Sequence, residues 1–169
     1  DIIDHRRADD KEYGDLLDML LQSTYEDGSH MSDRQLIDEI LVLFIAGHET
    51  TANVLTFATQ LLAQHPDKAK AVQQEIANLS SQDLMEQLKE LEYTKQVLEE
   101  TMRLYPPAYV TDRVAVAEDS CGHIEIPKGS IWLISFFEMH RRKDLWERPD
   151  DFLPERFEPE LRKTYTDHY

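Results

Sequence analysis

A mainly α fold with a small β region follows from three features of the sequence. Apolar residues recur at helical spacing as far as Leu104, two consecutive prolines, Pro106 and Pro107, stop that pattern, and short β runs occupy the stretch between Arg113 and Phe137. Leu16, Leu17, Leu20 and Leu21 mark an amphipathic helix over about Tyr13 to Thr24, closed by the turn residues Asp27 and Gly28. Ser32 followed by Gln35 forms a capping box and starts a second helix that can run to about Gln64. Pro66 suits the first turn of a third, with Ala69, Val72, Ile76 and Leu79 on its apolar face. A short helix over about Leu84 to Leu91 precedes another from Tyr93 to Leu104, which the prolines end because the first disfavours helical geometry at Tyr105.

The β runs are Val114 to Val116, Ile124 to Ile126 and Ile131 to Phe136. Pro127 and Gly129 are placed for the second and fourth positions of a tight turn between the last two. Beyond them Pro149, Pro154 and Pro159 predict irregular coil anchored by Trp146, Phe152 and Phe157. The chain thus divides into a helical segment over 1–110, a β region over 111–137 and coil over 138–169.

Composition narrows the function. The 169 residues carry 34 acidic and 18 basic side chains, a formal charge of −16, and no basic stripe, which excludes nucleic acid as a partner. One cysteine, Cys121, rules out an intrachain disulfide and sites built from several thiolates, and fits a cytoplasmic protein. No stretch holds the roughly 18 uninterrupted apolar residues of a membrane span, the longest run being Ile40 to Gly47.

That run is the informative part. Ile40 to Ala46 are consecutive apolar residues, so every face of the helix is apolar, and a helix from Asp33 to Gln64 extends nearly 50 Å at about 1.5 Å per residue. Such a helix belongs inside a larger protein, and a chain lacking the covering layers is expected to self-associate. In the middle of it stand Ala46, Gly47, His48, Glu49, Thr50 and Thr51. Buried polar groups of this kind either bond to one another or serve a ligand, and on an exposed face they are simply a solvated stripe. The Thr50 hydroxyl can reach the Ala46 carbonyl one turn back while Gly47 weakens the helix, which together would open a groove. Desolvation there would raise the Glu49 pKa and make Glu49 and Thr50 a proton relay. A zinc-protease reading of His48 and Glu49 fails, because Ala52 stands where the second histidine is needed.

Three short motifs, in order, resemble the cytochrome P450 superfamily of haem-thiolate monooxygenases: Ala46 to Thr51, Glu100-Thr101-Met102-Arg103 before a proline, and Pro154-Glu155-Arg156-Phe157. The resemblance covers essentially the whole chain and implies a partial form of that fold: a long central oxygen-binding helix, the helices after it, a small sheet and a meander. It implies that Glu49 and Thr50 are catalytic, that Ala46 and Gly47 line an oxygen-binding groove, and that Glu100, Arg103 and Arg156 form a structural ion-pair network. Arg113 stands where such proteins offer an arginine to a haem propionate, the alternative being a surface arginine at a strand start. Leu43, Ala46 and Val110 become substrate contacts, against the plain alternative of core residues. An exposed Glu100–Arg103 pair contributes about 0.2 to 0.5 kcal/mol, whereas stranding a member of a buried network costs roughly 3 to 5 kcal/mol.

The family's axial cysteine sits in a loop after the meander, and Arg162 to Tyr169 end the chain where that loop is expected, so the thiolate is expected beyond Tyr169 and no metal ligand within the chain. Cys121 reads instead as a small residue at a hairpin bend. The resemblance implies haem b for an intact protein and none held by this chain alone, an electron-donor redox protein or reductase domain as partner, and an apolar small-molecule substrate. Peroxide-driven or isomerising haem chemistry, and a non-catalytic helical interaction module, are the other readings.

Overall fold

The computed structural model of the protein describes residues 2–9, 11 and 13–164. The expectations for the end of the coil and for the stretch before the cysteine loop fall partly on 165–169, outside the described residues. The chain divides into two compact units, Asp1–Glu49 and Thr50–Tyr169, with the division inside one long helix.

In the first unit, α1 (Ile2–Ala8) and α2 (Leu16–Gln22) precede the long helix α3 (Asp33–Gln64). The sequence pattern missed α1, whose seven residues include three charged side chains and a histidine and show no helical stripe beyond buried Ile3. Arg6 explains its placement. Its guanidinium donates to Asp15 at 2.8 and 2.7 Å and to Asp18 at 2.6 Å, while Asp18 also accepts from the Tyr13 and Gly14 amides. Asp15 caps α2 by accepting from the Asp18 amide, so α2 starts three residues later than the leucine spacing predicts. Ser32 Oγ accepts from the Gln35 amide at 3.3 Å, one of the two bonds of a capping box, and Arg7 pairs with Asp33 at 2.7 Å.

In the second unit, α5 (Leu84–Glu90) and α6 (Glu92–Leu104) lie within one residue of their expected bounds, while α4 (Pro66–Ala77) ends before Leu79, the last residue of its expected apolar face. The core is Leu61, Val97, Leu104 and Phe152, with Leu62, Val72, Tyr93 and Tyr105 against it. On α4 the expected apolar stripe is only partly buried. Ile76 is exposed, and the inner face is made instead by Val72 with Lys68 and Glu75, whose polar ends find partners on other elements.

The β region differs from expectation in pairing. β1 (Val110–Val114) pairs antiparallel with β4 (Ile131–Ser135), from Val110 opposite Ser135 to Val114 opposite Ile131, and β2 (Asp119–Cys121) pairs with β3 (Ile124–Ile126). Residues 127–130 therefore connect two separate sheets and close no hairpin. Their turn is also one residue out of the expected register: the Ser130 amide donates to the Pro127 carbonyl, which puts Pro127 first and Gly129 third. Gly129 has φ +85°, and the third position of such a turn demands that conformation, which decides the register over proline's preference for the second. Phe136 leaves the strand to open the short helix α7 (Phe136–Met139), capped by Ser135. The coil beyond holds a 3-10 turn, Pro154–Phe157, and α8 (Pro159–Arg162), with Trp146, Phe152 and Phe157 buried as expected.

Candidate functional site

The best-ordered polar chemistry lies under α6. Glu100 and Arg103 are one turn apart and both 0% exposed. Arg103 grips the carboxylate with two parallel bonds, Nε to Oε2 at 2.7 Å and Nη2 to Oε1 at 2.9 Å. Its other donors reach carbonyls: Nη1 those of His140 at 2.7 Å and Pro149 at 2.8 Å, Nη2 that of Asp151 at 3.2 Å. The guanidinium carbon also stands 5.1 Å from the centroid of the buried Trp146 ring. Glu100 Oε1 accepts in addition the Leu153 amide at 2.9 Å and Arg156 Nε at 3.3 Å.

Two cations and one anion are thus buried together, an arrangement that holds only where nearly every donor has an acceptor. The coil supplies those acceptors. Arg148 adopts φ +48°, a left-handed conformation that costs roughly 1 kcal/mol for a residue with a side chain, and its carbonyl accepts Arg156 Nη2 at 2.5 Å. The network expected from Glu100, Arg103 and Arg156 is assembled, and it extends to five main-chain groups. A carbonyl or amide that binds through the backbone leaves no mark on residue type, so none of those five was legible beforehand.

The polar segment of α3 sits differently. Leu43, Ala46, Gly47 and Thr50 fall at i, i+3, i+4 and i+7, which places them on one stripe of the helix, with Glu49 to one side of it. Phe44 and His48 stack on a neighbouring stripe, centroids 5.7 Å apart. The expected opening at Gly47 is not expressed as a break: α3 is helical without interruption from Asp33 to Gln64. One glycine costs only about 1 kcal/mol relative to alanine, too little to interrupt so long a helix. Nor are Glu49 and Thr50 desolvated by this chain, since every residue from Leu41 to Thr51 is exposed. A Cβ added at Gly47 would meet no atom within 4 Å, so nothing packed against it here requires glycine.

Val110 opens β1, and Arg113 lies opposite Trp132. Three residues apart on one strand, Val110 and Arg113 face opposite sides of the sheet. Arg113 Nη1 donates to the Asp112 carbonyl at 2.6 Å and to Thr111 Oγ1 at 3.4 Å, while Nε and Nη2 have no partner among the described residues. Arg113 also lines a cavity of about 320 Å³ with Val114, Ile126 and Trp132. Cys121 ends β2, exposed, next to the turn into β3, the bend position expected of it. Among the described residues no group of three or more histidines, cysteines or carboxylates is arranged to hold a metal ion.

One polar cluster had no counterpart in the motif reading. Lys68 of α4 donates to Glu155 Oε1 at 2.6 Å, and the Tyr93 hydroxyl of α6 donates to the same oxygen at 3.1 Å. Burial pushes the Glu155 carboxyl up, but the bonds from Lys68 and Tyr93 outweigh it and hold the group below the ordinary carboxylate range. Burial and the Glu155 charge raise the Tyr93 phenol well above its usual value.

The comparisons accord with this geometry. The family model described as Cytochrome P450 matches residues 2–169. Cyclooctat-9-en-7-ol 5-monooxygenase of Streptomyces melanosporofaciens is 36% identical over 160 residues, covering 93% of this chain and 35% of the relative. Cytochrome P450 97B1, chloroplastic, of Pisum sativum is 40% identical over 166 residues, covering 91% of this chain and 30% of the relative. The solved structure of a retinoic acid bound cyanobacterial CYP120A1 superposes with a TM-score of 0.88 at 35% identity, covering 98% of this chain and 38% of that one. The chain therefore spans about a third of the length of these relatives. With the buried Glu100–Arg103–Arg156 network, the apolar α3 and the paired β segments all falling inside a match that runs from residue 2 to residue 169, the chain belongs to the cytochrome P450 family.

Proposed function

We propose that this chain carries the distal, oxygen-handling part of a haem-thiolate monooxygenase acting on an apolar organic substrate. The observation that supports it most is the placement of a glycine, a carboxylate and a hydroxyl, Gly47, Glu49 and Thr50, within two turns of the most apolar helix in the chain. A glycine with open space around it carries a helix cost with no packing return in this chain, which favours a ligand approaching the backbone there.

Haem iron with a thiolate ligand, when bound, would supply the chemistry by which electrons reduce dioxygen and one oxygen atom enters the substrate. The chain's own residues would manage the surroundings. Ala46 and Gly47 leave room beside the helix; the Thr50 hydroxyl borders that room; Glu49, covered by further layers in the intact protein, returns a proton to the Thr50 side. Leu43 and Ala46 on the same stripe, and Val110 at the start of β1, would contact substrate. The residues present fit one haem carboxylate, because Arg113 keeps Nε and Nη2 available to a propionate. They do not fit the iron: Cys121 is exposed at a hairpin end, so the thiolate is assigned to the loop that follows the meander in an intact protein.

Electrons would come from a redox protein or a reductase domain. A cytoplasmic location is in keeping with the single cysteine, although the pea relative is described as chloroplastic. By length and composition α3 would also pass for a membrane span, yet its run of four polar residues from His48 to Thr51 suits a helix surrounded by protein.

Haem titration tests the reading. The chain alone is expected to show no thiolate-type absorption, the full-length protein to show it, and Arg113→Gln in the full-length protein to release haem several-fold faster. A full-length protein without a thiolate spectrum would refute the proposal.

A further inference from the structure

Lys68 and Glu75 are seven residues apart, two turns along one face of α4. Each reaches a different element. Glu75 receives the Tyr93 amide at 2.6 Å, the Thr94 amide at 2.8 Å and the Thr94 hydroxyl at 2.6 Å, and so caps α6, whose own N-cap residue, Leu91, makes no side-chain bond. Lys68 and Tyr93 both donate to Glu155 Oε1. A closed circuit results, from α4 through Tyr93 of α6 to the 3-10 turn and back.

Glu155 is the residue before Arg156. Within the buried network the Arg156 Nε–Glu100 Oε1 contact is the longest of those made to the carboxylate, 3.3 Å against 2.7 to 2.9 Å for the others. A contact of that length lies at the outer edge of hydrogen-bond geometry, so a small shift of the 3-10 turn would break the Arg156–Glu100 contact, leaving Arg103 in place and Arg156 Nη2 on the Arg148 carbonyl. The Arg103 grip is anchored within α6 and by three carbonyls, and does not depend on the turn.

We propose that Lys68 is a positioning residue for the buried network, acting through Glu155 to fix the 3-10 turn where Arg156 reaches Glu100. The inference rests on the geometry of the network and is independent of the oxygen chemistry. An ordinary surface ion pair at Lys68 would leave Arg156 untouched. The side chains of Lys68 and Glu155 are 19% and 39% exposed, so substitution there need not break the core.

Hydrogen exchange at the arginine Nε–H groups, followed by NMR on this chain without haem, separates the two cases. Lys68→Met is expected to speed exchange at Arg156 by roughly tenfold, as a local opening does, with the Arg103 rate unchanged and Lys68→Arg restoring the original rate. Tyr93→Phe, which leaves Lys68 in place and removes the second donor to Glu155, is expected to give a smaller acceleration at Arg156 alone. An unchanged Arg156 rate in either variant, equal acceleration of Arg103, or no rescue by arginine would overturn the proposal. Because no haem is present, neither outcome bears on the monooxygenase reading.

Discussion

At the scale of single residues, the strongest statement concerns Glu100. Its carboxylate takes four donors from Arg103, Arg156 and Leu153 with no exposure to water. Glu100→Gln keeps the shape and removes the charge, leaving two buried guanidinium groups without their counterion, and should cost roughly 3 to 5 kcal/mol in urea unfolding of this chain. A loss under 1 kcal/mol would mean that the cations are neutralised elsewhere. Glu155 gives a pH signature of definite sign. Its folded pKa lies below the ordinary value of 4.5, so its contribution is present above that pH and fades as pH falls through the folded value. The unfolding midpoint of Glu155→Gln should therefore lie below that of the parent chain at pH 7 and approach it as the pH is lowered through the folded value, below 4.5. A gap that is the same at both pH values would assign the effect to packing. The residue types of this network were readable from two short motifs, but Lys68 and Glu75 carried no motif signal. Their partners are 87 and 18 residues away in sequence, a distance no helical or strand period reports.

At the scale of elements, helices were legible where an apolar period was long or a cap was present, as in α3 and α6. They were illegible where a single salt-bridge cluster did the ordering, as in α1, and a cap such as Asp15 moved the start of α2 away from where the leucine spacing puts it. The strands show a second limit. The runs at Ile124 and Ile131 are strands as read, but the run at Val114 to Val116 is strand only at Val114, β1 beginning at Val110, and β2 has no apolar run. Which strand pairs with which depends on long-range closure, and the connection at 127–130 joined two sheets where a hairpin was expected. Gly47 turns this into a prediction for α3. With no atom within 4 Å of an added Cβ, Gly47→Ala should stabilise this chain by about 0.5 to 1 kcal/mol through helix propensity, measured by thermal unfolding. In the full-length protein the same change should weaken oxygen handling. Destabilisation of the isolated chain would show that the glycine serves the helix itself.

At the scale of the whole molecule, Leu41, Val42, Leu43, Phe44 and Ile45 stand 44 to 66% exposed in succession around α3. Apolar surface of that extent ordinarily lies against other protein, and the chain covers 30 to 38% of the relatives with which it was compared. Light scattering should give an apparent mass above the 19.8 kDa of one chain that rises with concentration, and a constant monomer mass would contradict this. The same exposure explains why the candidate site was legible in its residues and not in its environment. The motif named Glu49 and Thr50, whereas this chain leaves both exposed and spans only about a third of the length of its relatives. The most direct test of the account is thus made in the full-length protein, by comparing product formed with electrons consumed before and after Thr50→Ala. Electron consumption is expected to continue while the product yield per electron falls several-fold, with substrate affinity retained. An unchanged yield would remove Thr50, and with it the proton-relay role of α3, from the chemistry.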